Sequence, residues 1–170
     1  MQRYGKPLGY NSTQIVLHWL IAALLIFQIV MGEQIVPAYR AFRKGMEASA
    51  DDLLNADIHV YVGVAVLVLA ILRLAIRFGR GAPAAPAEEG AVQRGLASLT
   101  HIALYVIMIG MPVTGMLAWY LGVAEMGEIH EAAKLAIVLI VALHAAGALW
   151  QHFVARNDVL LRILRPEGPK

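Results

Sequence analysis

The chain contains no cysteine. That excludes disulfides, iron–sulfur clusters, thioether-linked haem and catalytic thiols together. It is also poor in charge: 15% of its 170 residues are Asp, Glu, Lys or Arg, against 59% hydrophobic. With a mean hydropathy of +0.65, the composition excludes an ordinary soluble domain and points to the membrane class. The apolar runs hold no carboxylate in their interiors, which weighs against a proton relay built from intramembrane acids. No repeat of fixed period and no low-complexity tract is present. No cleavable signal peptide is expected either, because the first apolar run starts near Ile15, is too long for an h-region and lacks a small-residue cleavage site.

Four apolar runs of spanning length remain, about 15–36, 58–78, 96–121 and 130–154. They predict an all-α membrane protein, a single domain over residues 1–170 built as a four-transmembrane-helix bundle. Asn11 or Ser12 is placed to cap the first helix. Pro37 is expected to close the first span, followed by a charged connection over 37–57. A Gly/Pro/Ala linker covers 79–91, and a short acidic loop with Glu125 and Glu128 precedes the fourth span. The tail, 155–170, is basic and partly amphipathic, suiting a helix on the membrane surface. Ten Lys and Arg fall on the side of the termini and four (Arg40, Arg43, Lys44, Lys134) on the other. The positive-inside rule then puts both termini in the cytoplasm. Acids run the other way, leaving the outer face near −4 and the inner near +6.

What the spans do contain is histidine. His130 and His144 are fourteen residues apart, about 40° short of four full turns and about 21 Å along the axis. They project from nearly one face and cannot share a metal ion, but each can hold its own. His59 opens the second span at the level of His130, and His18 lies at the inner level of His144. Histidines without thiolates in a helical bundle suit bis-imidazole ligation of haem iron, one ring from each of two facing helices. The natural pairs are His59 with His130 and His18 with His144, although His101 lies at a similar inner level to His18. Gly63, Gly32 and the small residues Ala145 to Ala148 would clear room for a porphyrin. Arg73, fourteen beyond His59, puts a cation at the inner level where propionates would want one.

Each feature also has a plainer explanation. Small residues are common at helix contacts in membranes, and Arg73 and Arg77 suit snorkelling anchors. His101 and His152, near the inner rim, suit interfacial positions. A zinc transporter would need three or four ligands converging at one site, and two pairs at different depths do not supply that. A structural anchor for a partner oxidoreductase remains open.

Taken in order, the opening Arg3 and Tyr4, LHWL at 17–20, His59 with Gly63 and RLAIR at 73–77 form a recognisable series. His101 with Tyr105, PVTG at 112–115, HE at His130, LHAAGAL at 143–149 and QHFVARNDVLLRIL at 151–164 continue it. In this order they resemble the bacterial cytochrome b561 family, related to the b-type subunits of nickel–iron hydrogenases and formate dehydrogenases. The resemblance covers nearly the whole chain, without an appended periplasmic or cytochrome-c domain, and so is to the free-standing members. It implies four transmembrane helices and two haem b groups in a bacterial inner membrane. His18 and His144 match the cytoplasmic-side ligands, and His59 and His130 the periplasmic-side pair. His101 matches a recurrent third-helix histidine that is not usually an axial ligand. It joins Arg73, Arg77 and His152 as candidates for propionate or quinone contacts. The implied function is transmembrane electron transfer between a periplasmic redox partner and ubiquinone. Superoxide oxidase activity, or service as a haem anchor subunit, is the alternative. Membrane lipid, quinone and a periplasmic donor or acceptor (superoxide or a redox protein) are the expected partners, with no nucleic acid.

Overall fold

The first helix starts where its cap is strongest. In the computed structural model, which describes residues 7–86 and 89–167, Asn11 is the N-cap of α1 (Ser12–Met31). Its Oδ1 accepts from the Gln14 N–H at 2.9 Å, while Gln14 Oε1 accepts from the Asn11 N–H at 3.2 Å. The pair satisfies two of the donors that a helix start leaves open. Arg3, Tyr4, Lys6, Glu88 and Lys170 lie outside the described residues.

Pro37 does not end the first span. A 3-10 turn, Gly32–Ile35, leads straight into α2 (Val36–Arg43), with Pro37 in its first turn. There a proline's missing N–H costs nothing and its fixed φ favours the helix. The expected charged connection is therefore mostly helical, and only Lys44 to Ser49 separate α2 from α3 (Ala50–Arg80). Ser49 caps α3 through its hydroxyl, which accepts from the Asp52 N–H at 3.1 Å. Asp51 and Asp52 lie in its first turn, where negative charge suits the helix dipole. Gly81, at φ +85°, ends it, a conformation that glycine adopts without steric cost.

Helix α4 (Ala91–Leu121) runs unbroken through Pro112 and stops at Gly122. Only Gly122 and Val123 separate it from α5 (Ala124–Phe153). Glu125 and Glu128, expected in a loop, belong instead to the opening turns of α5, where the dipole again favours acids. The short α6 (Val159–Leu164) folds back on the start of the chain: Trp19 Nε1 donates to the Ile163 carbonyl at 3.0 Å, and the Glu167 N–H to that of Tyr10 at 2.9 Å.

Four helical stretches are long and apolar enough to cross a membrane: Ser12–Arg43, Ala50–Arg80, Ala91–Leu121 and Ala124–Phe153. Their outward faces show large apolar side chains such as Val16, Val30, Val68 and Ile102, all more than half exposed, as lipid-facing surfaces require. The close backbone packings run α1 on α3, α3 on α4 and α4 on α5. Ile21, Val66, Ala70 and Met108 form the core at mid-bundle, with Leu24, Leu69, Leu104 and Tyr105 around it.

Gln14 ties the two ends of the first hairpin together. It is 4% exposed, and its Nε2 donates to the Gly81 carbonyl at 3.1 Å. Gln14→Leu would leave the Asn11 N–H and the Gly81 carbonyl without these partners, at about 1–3 kcal/mol for each that stays buried. The expected result is a lower thermal midpoint in detergent; an unchanged midpoint would show that water replaces both bonds.

Candidate cofactor site

The histidines of α3 and α5 meet at the end of the bundle away from the termini, with His59 and His130 ring centroids 6.0 Å apart and planes at 71°. At the termini end, His18 of α1 faces His144 of α5 with centroids 6.1 Å apart and planes at 62°. A metal–imidazole nitrogen bond is about 2.0–2.1 Å. Adding about 1.1 Å from nitrogen to ring centre on each side, two rings on one six-coordinate iron stand about 6.2–6.4 Å apart. Both pairs come within a few tenths of an ångström of this spacing. His101 approaches His144 more closely, at 5.3 Å, about an ångström short of the span an iron needs. The geometry therefore favours His18 over His101 as the partner of His144. Neither α1 with α5 nor α3 with α5 is among the close backbone packings, so the helix pairs that carry these rings stand far enough apart to admit a planar group.

His130 is held in the orientation a ligand needs. Its Nδ1 lies 2.8 Å from the Met111 carbonyl. A carbonyl can only accept, so Nδ1 carries the proton and Nε2 keeps its lone pair for a metal. The Thr114 hydroxyl donates to the same carbonyl at 2.9 Å and lies 3.3 Å from His130 Nδ1. Gly115 gives the ring its seat: a Cβ there would come within 3.1 Å of His130 Cε1 and 3.2 Å of Nδ1. The PVTG stretch thus shapes the surroundings of a histidine on the neighbouring helix.

An apolar pocket surrounds the far-end pair, with Gln28, Gly32, Gly63 and Met111 in its wall. Gly32 does face His59, with Cε1 3.9 Å from where its Cβ would be. The space beside Gly63 is already filled: Gln28 Nε2 would lie 3.2 Å from a Cβ there, and it donates to the His59 carbonyl at 2.8 Å. At the pocket mouth Lys134 pairs with Glu33. The Tyr39 hydroxyl occupies the notch of Gly127 so closely that any Cβ would collide with it. Tyr39, Phe42 and Trp119 cluster there, with ring centroids 5.8 to 6.4 Å apart.

The other expected contacts lie at the termini end. Arg73 Nη1 donates to the Gln14 carbonyl at 2.7 Å, so the guanidinium fastens α3 to the first turn of α1. Arg77 is one turn further on, and His152 lies in the last turn of α5, edge-on to Phe153. Gly147 faces open space, with nothing within 4 Å of a Cβ. Among the described residues no three His, Cys, Asp or Glu side chains converge as a zinc site would require. The groups that contact the far-end histidines (Gln28, Met111 and Thr114) carry no charge. Gln28 had one signal, a lone amide inside the apolar run IAALLIFQIVM.

A helical membrane bundle with facing histidines at two levels has the framework of a b-type membrane cytochrome. The chain belongs to the prokaryotic cytochrome b561 family, whose model matches residues 9–166. It is 38% identical to cytochrome b562 of Cereibacter sphaeroides, over 93% of this chain and 96% of that one. It is 29% identical to cytochrome b561 homolog 1 of Escherichia coli K12, over 91% and 96% of the two chains. A probable superoxide oxidase of Yersinia pestis is 25% identical, over 91% and 95%. Membership makes this a haem b-binding electron-transport protein of a bacterial membrane.

Proposed function

We propose that the chain conducts electrons across the bacterial inner membrane through two haem b groups. His59 and His130 hold one near the periplasmic face, and His18 and His144 hold the other near the cytoplasmic face. The observation that carries this reading is the pair of matched separations, 6.0 and 6.1 Å, at two levels fourteen residues apart on α5. Haem b supplies one-electron chemistry, and two histidines on one iron leave no open coordination position for activating oxygen. The residues' part is to fix ligand orientation, exclude water and set the local charge. The excess of Lys and Arg on the side of the termini supports both termini being cytoplasmic.

Ubiquinone is the proposed membrane-soluble partner, exchanging electrons near the cytoplasmic pair, where His101, His152, Arg73 and Arg77 supply polar groups. A periplasmic redox protein is the proposed partner on the other side. The experiment that tests the core of this reading is a pyridine haemochrome assay with redox difference spectra on detergent-purified protein. Two haem b per chain with low-spin bands is the expected result. One haem would remove transbilayer transfer, and none, in protein made with ample haem, would return the histidines to ion or proton handling.

The relative of Yersinia pestis favours a second reading, oxidation of periplasmic superoxide. Two superoxide anions would each give up one electron to become oxygen, and ubiquinone would take both electrons with two protons. Electrostatics bear on it directly. Lys134 is engaged by Glu33, so among the described residues the far-face cations outside an ion pair are the exposed Arg40, Arg43 and Lys44 at the end of α2. An overall far-face charge near −4 slows an approaching anion. Prompt reduction of the purified cytochrome by superoxide, weakened when those three cations are replaced, would decide for this reading; no reduction would decide against it.

A further inference from the structure

The two histidines of the far-end pair are supported unequally. His130 Nδ1–H donates to the Met111 carbonyl. His59 has the same need, yet its Nδ1 is buried without a partner. A second buried polar atom in the same pocket is also unpartnered, Gln28 Oε1. The two are complementary. An imidazole that turns Nε2 to a metal carries its proton on Nδ1 and must donate, whereas an amide oxygen can only accept.

The rest of the Gln28 amide is already fixed to the same residue. Its Nε2 donates to the His59 carbonyl at 2.8 Å, and it packs into the space left by Gly63, 3.2 Å from where a Cβ would be. A glutamine in the middle of an apolar span is costly unless its groups are satisfied, and half of this one is satisfied by a histidine backbone. The remaining orphaned atoms (His152 Nδ1, Arg162 Nε and Glu167 Oε1) belong to the termini end and line no part of this pocket.

We propose that Gln28 is the positioning residue for His59. Its Oε1 accepts a hydrogen bond from the Nδ1–H, directly or through one buried water, which such a polar pair can hold. The bond fixes the tautomer and the ring plane with Nε2 towards the iron, and makes the imidazole a stronger electron donor to it. Gln28 thereby does for His59 what the Met111 carbonyl does for His130, and it lowers the potential of the far-end centre. This inference rests on the bis-histidine reading above.

The test uses full-length, haem-loaded protein in detergent, with redox titration of the haem bands and haem counting. In Gln28→Met, which keeps length and removes the acceptor, one midpoint potential moves upward and the other stays. Retention of that one haem falls about 10- to 100-fold, as loss of a ligand's hydrogen-bond partner does elsewhere. Gln28→Glu keeps an acceptor oxygen and brings the potential back to the wild-type value or below it. It also restores haem retention, which a buried carboxylate in a purely packing role would not do. Unmoved potentials and retention in Gln28→Met, or a far-end potential above wild type in Gln28→Glu, would overturn the proposal. If Gln28→Met does not accumulate, Gln28→Leu, which also lacks the acceptor, takes its place with the same expected rise in potential and loss of haem. His59→Ala separates the two levels of the argument. If it loses one haem while Gln28→Met changes nothing, Gln28 has no role and the ligand pair stands; if it keeps both haems, the pair itself falls and Gln28 with it.

Discussion

Replacing His130 with alanine is expected to leave one haem per chain, not none. The two sites share a helix but not a level: His130 and His144 are about 21 Å apart along α5. The core of Ile21, Val66, Ala70 and Met108 falls between the two levels in register. Removing the far-end ligand therefore empties the far-end site and leaves the pair of His18 and His144 as it was. His59→Ala gives the same outcome from the facing helix, and His18→Ala gives its mirror image, with the far-end haem kept. His101→Ala should retain two haems, because its ring stands too close to His144 to share an iron with it. In each single-ligand variant transfer across the bilayer is expected to be lost, since one of two relays is missing. Haem counting on purified variants, with electron transfer into vesicles as the second measurement, checks all four. Two haems in His18→Ala with one in His101→Ala would reverse the assignment at the termini end.

Much of this arrangement is legible in the sequence, and the reasons differ from residue to residue. The spacing of His130 and His144 is a property of any α-helix, so their common face and separate depths follow without coordinates. Facing partners are harder. His18 and His101 reach the same level from different helices, and sequence alone does not decide between them; their separations from His144, 6.1 and 5.3 Å, support His18. Hydropathy marks where the bilayer stops and not where the hydrogen-bond ladder does. Polar turns such as Asp51–Asp52 and Glu125–Glu128 extend the helices beyond the apolar stretch, and Pro37 starts a helix where it was expected to end one. The ligand supports are the least legible. The Met111 carbonyl is backbone and leaves no mark in composition, and Gly63 reads equally well as clearance for a porphyrin or as the notch that Gln28 fills.

Gly115 carries the second large effect. Its missing side chain is the space in which the His130 ring lies: a Cβ would sit 3.1 Å from Cε1 and 3.2 Å from Nδ1. The ring cannot slide away freely, because Nδ1 is bound to the Met111 carbonyl one turn earlier on the same helix. In Gly115→Ala the ring has to give by a few tenths of an ångström while Nδ1 stays tied to the Met111 carbonyl, which shifts the direction of Nε2. Far-end haem affinity is expected to fall about 10- to 100-fold, as with other losses of ligand orientation. Gly115→Leu, with three further carbons in the same space, should abolish far-end binding and match the spectrum of His130→Ala. Gly110→Ala is the control, since nothing lies within 4 Å of a Cβ at that position of the same helix, and alanine in a helix interior gains about 0.5–1 kcal/mol over glycine. It should keep both haems and melt no lower than the parent. The pattern separates a seat for one ring from a general need for glycine in α4. Full far-end occupancy in Gly115→Leu would show that His130 finds another orientation, and that the bond to Met111 does not fix the ligand.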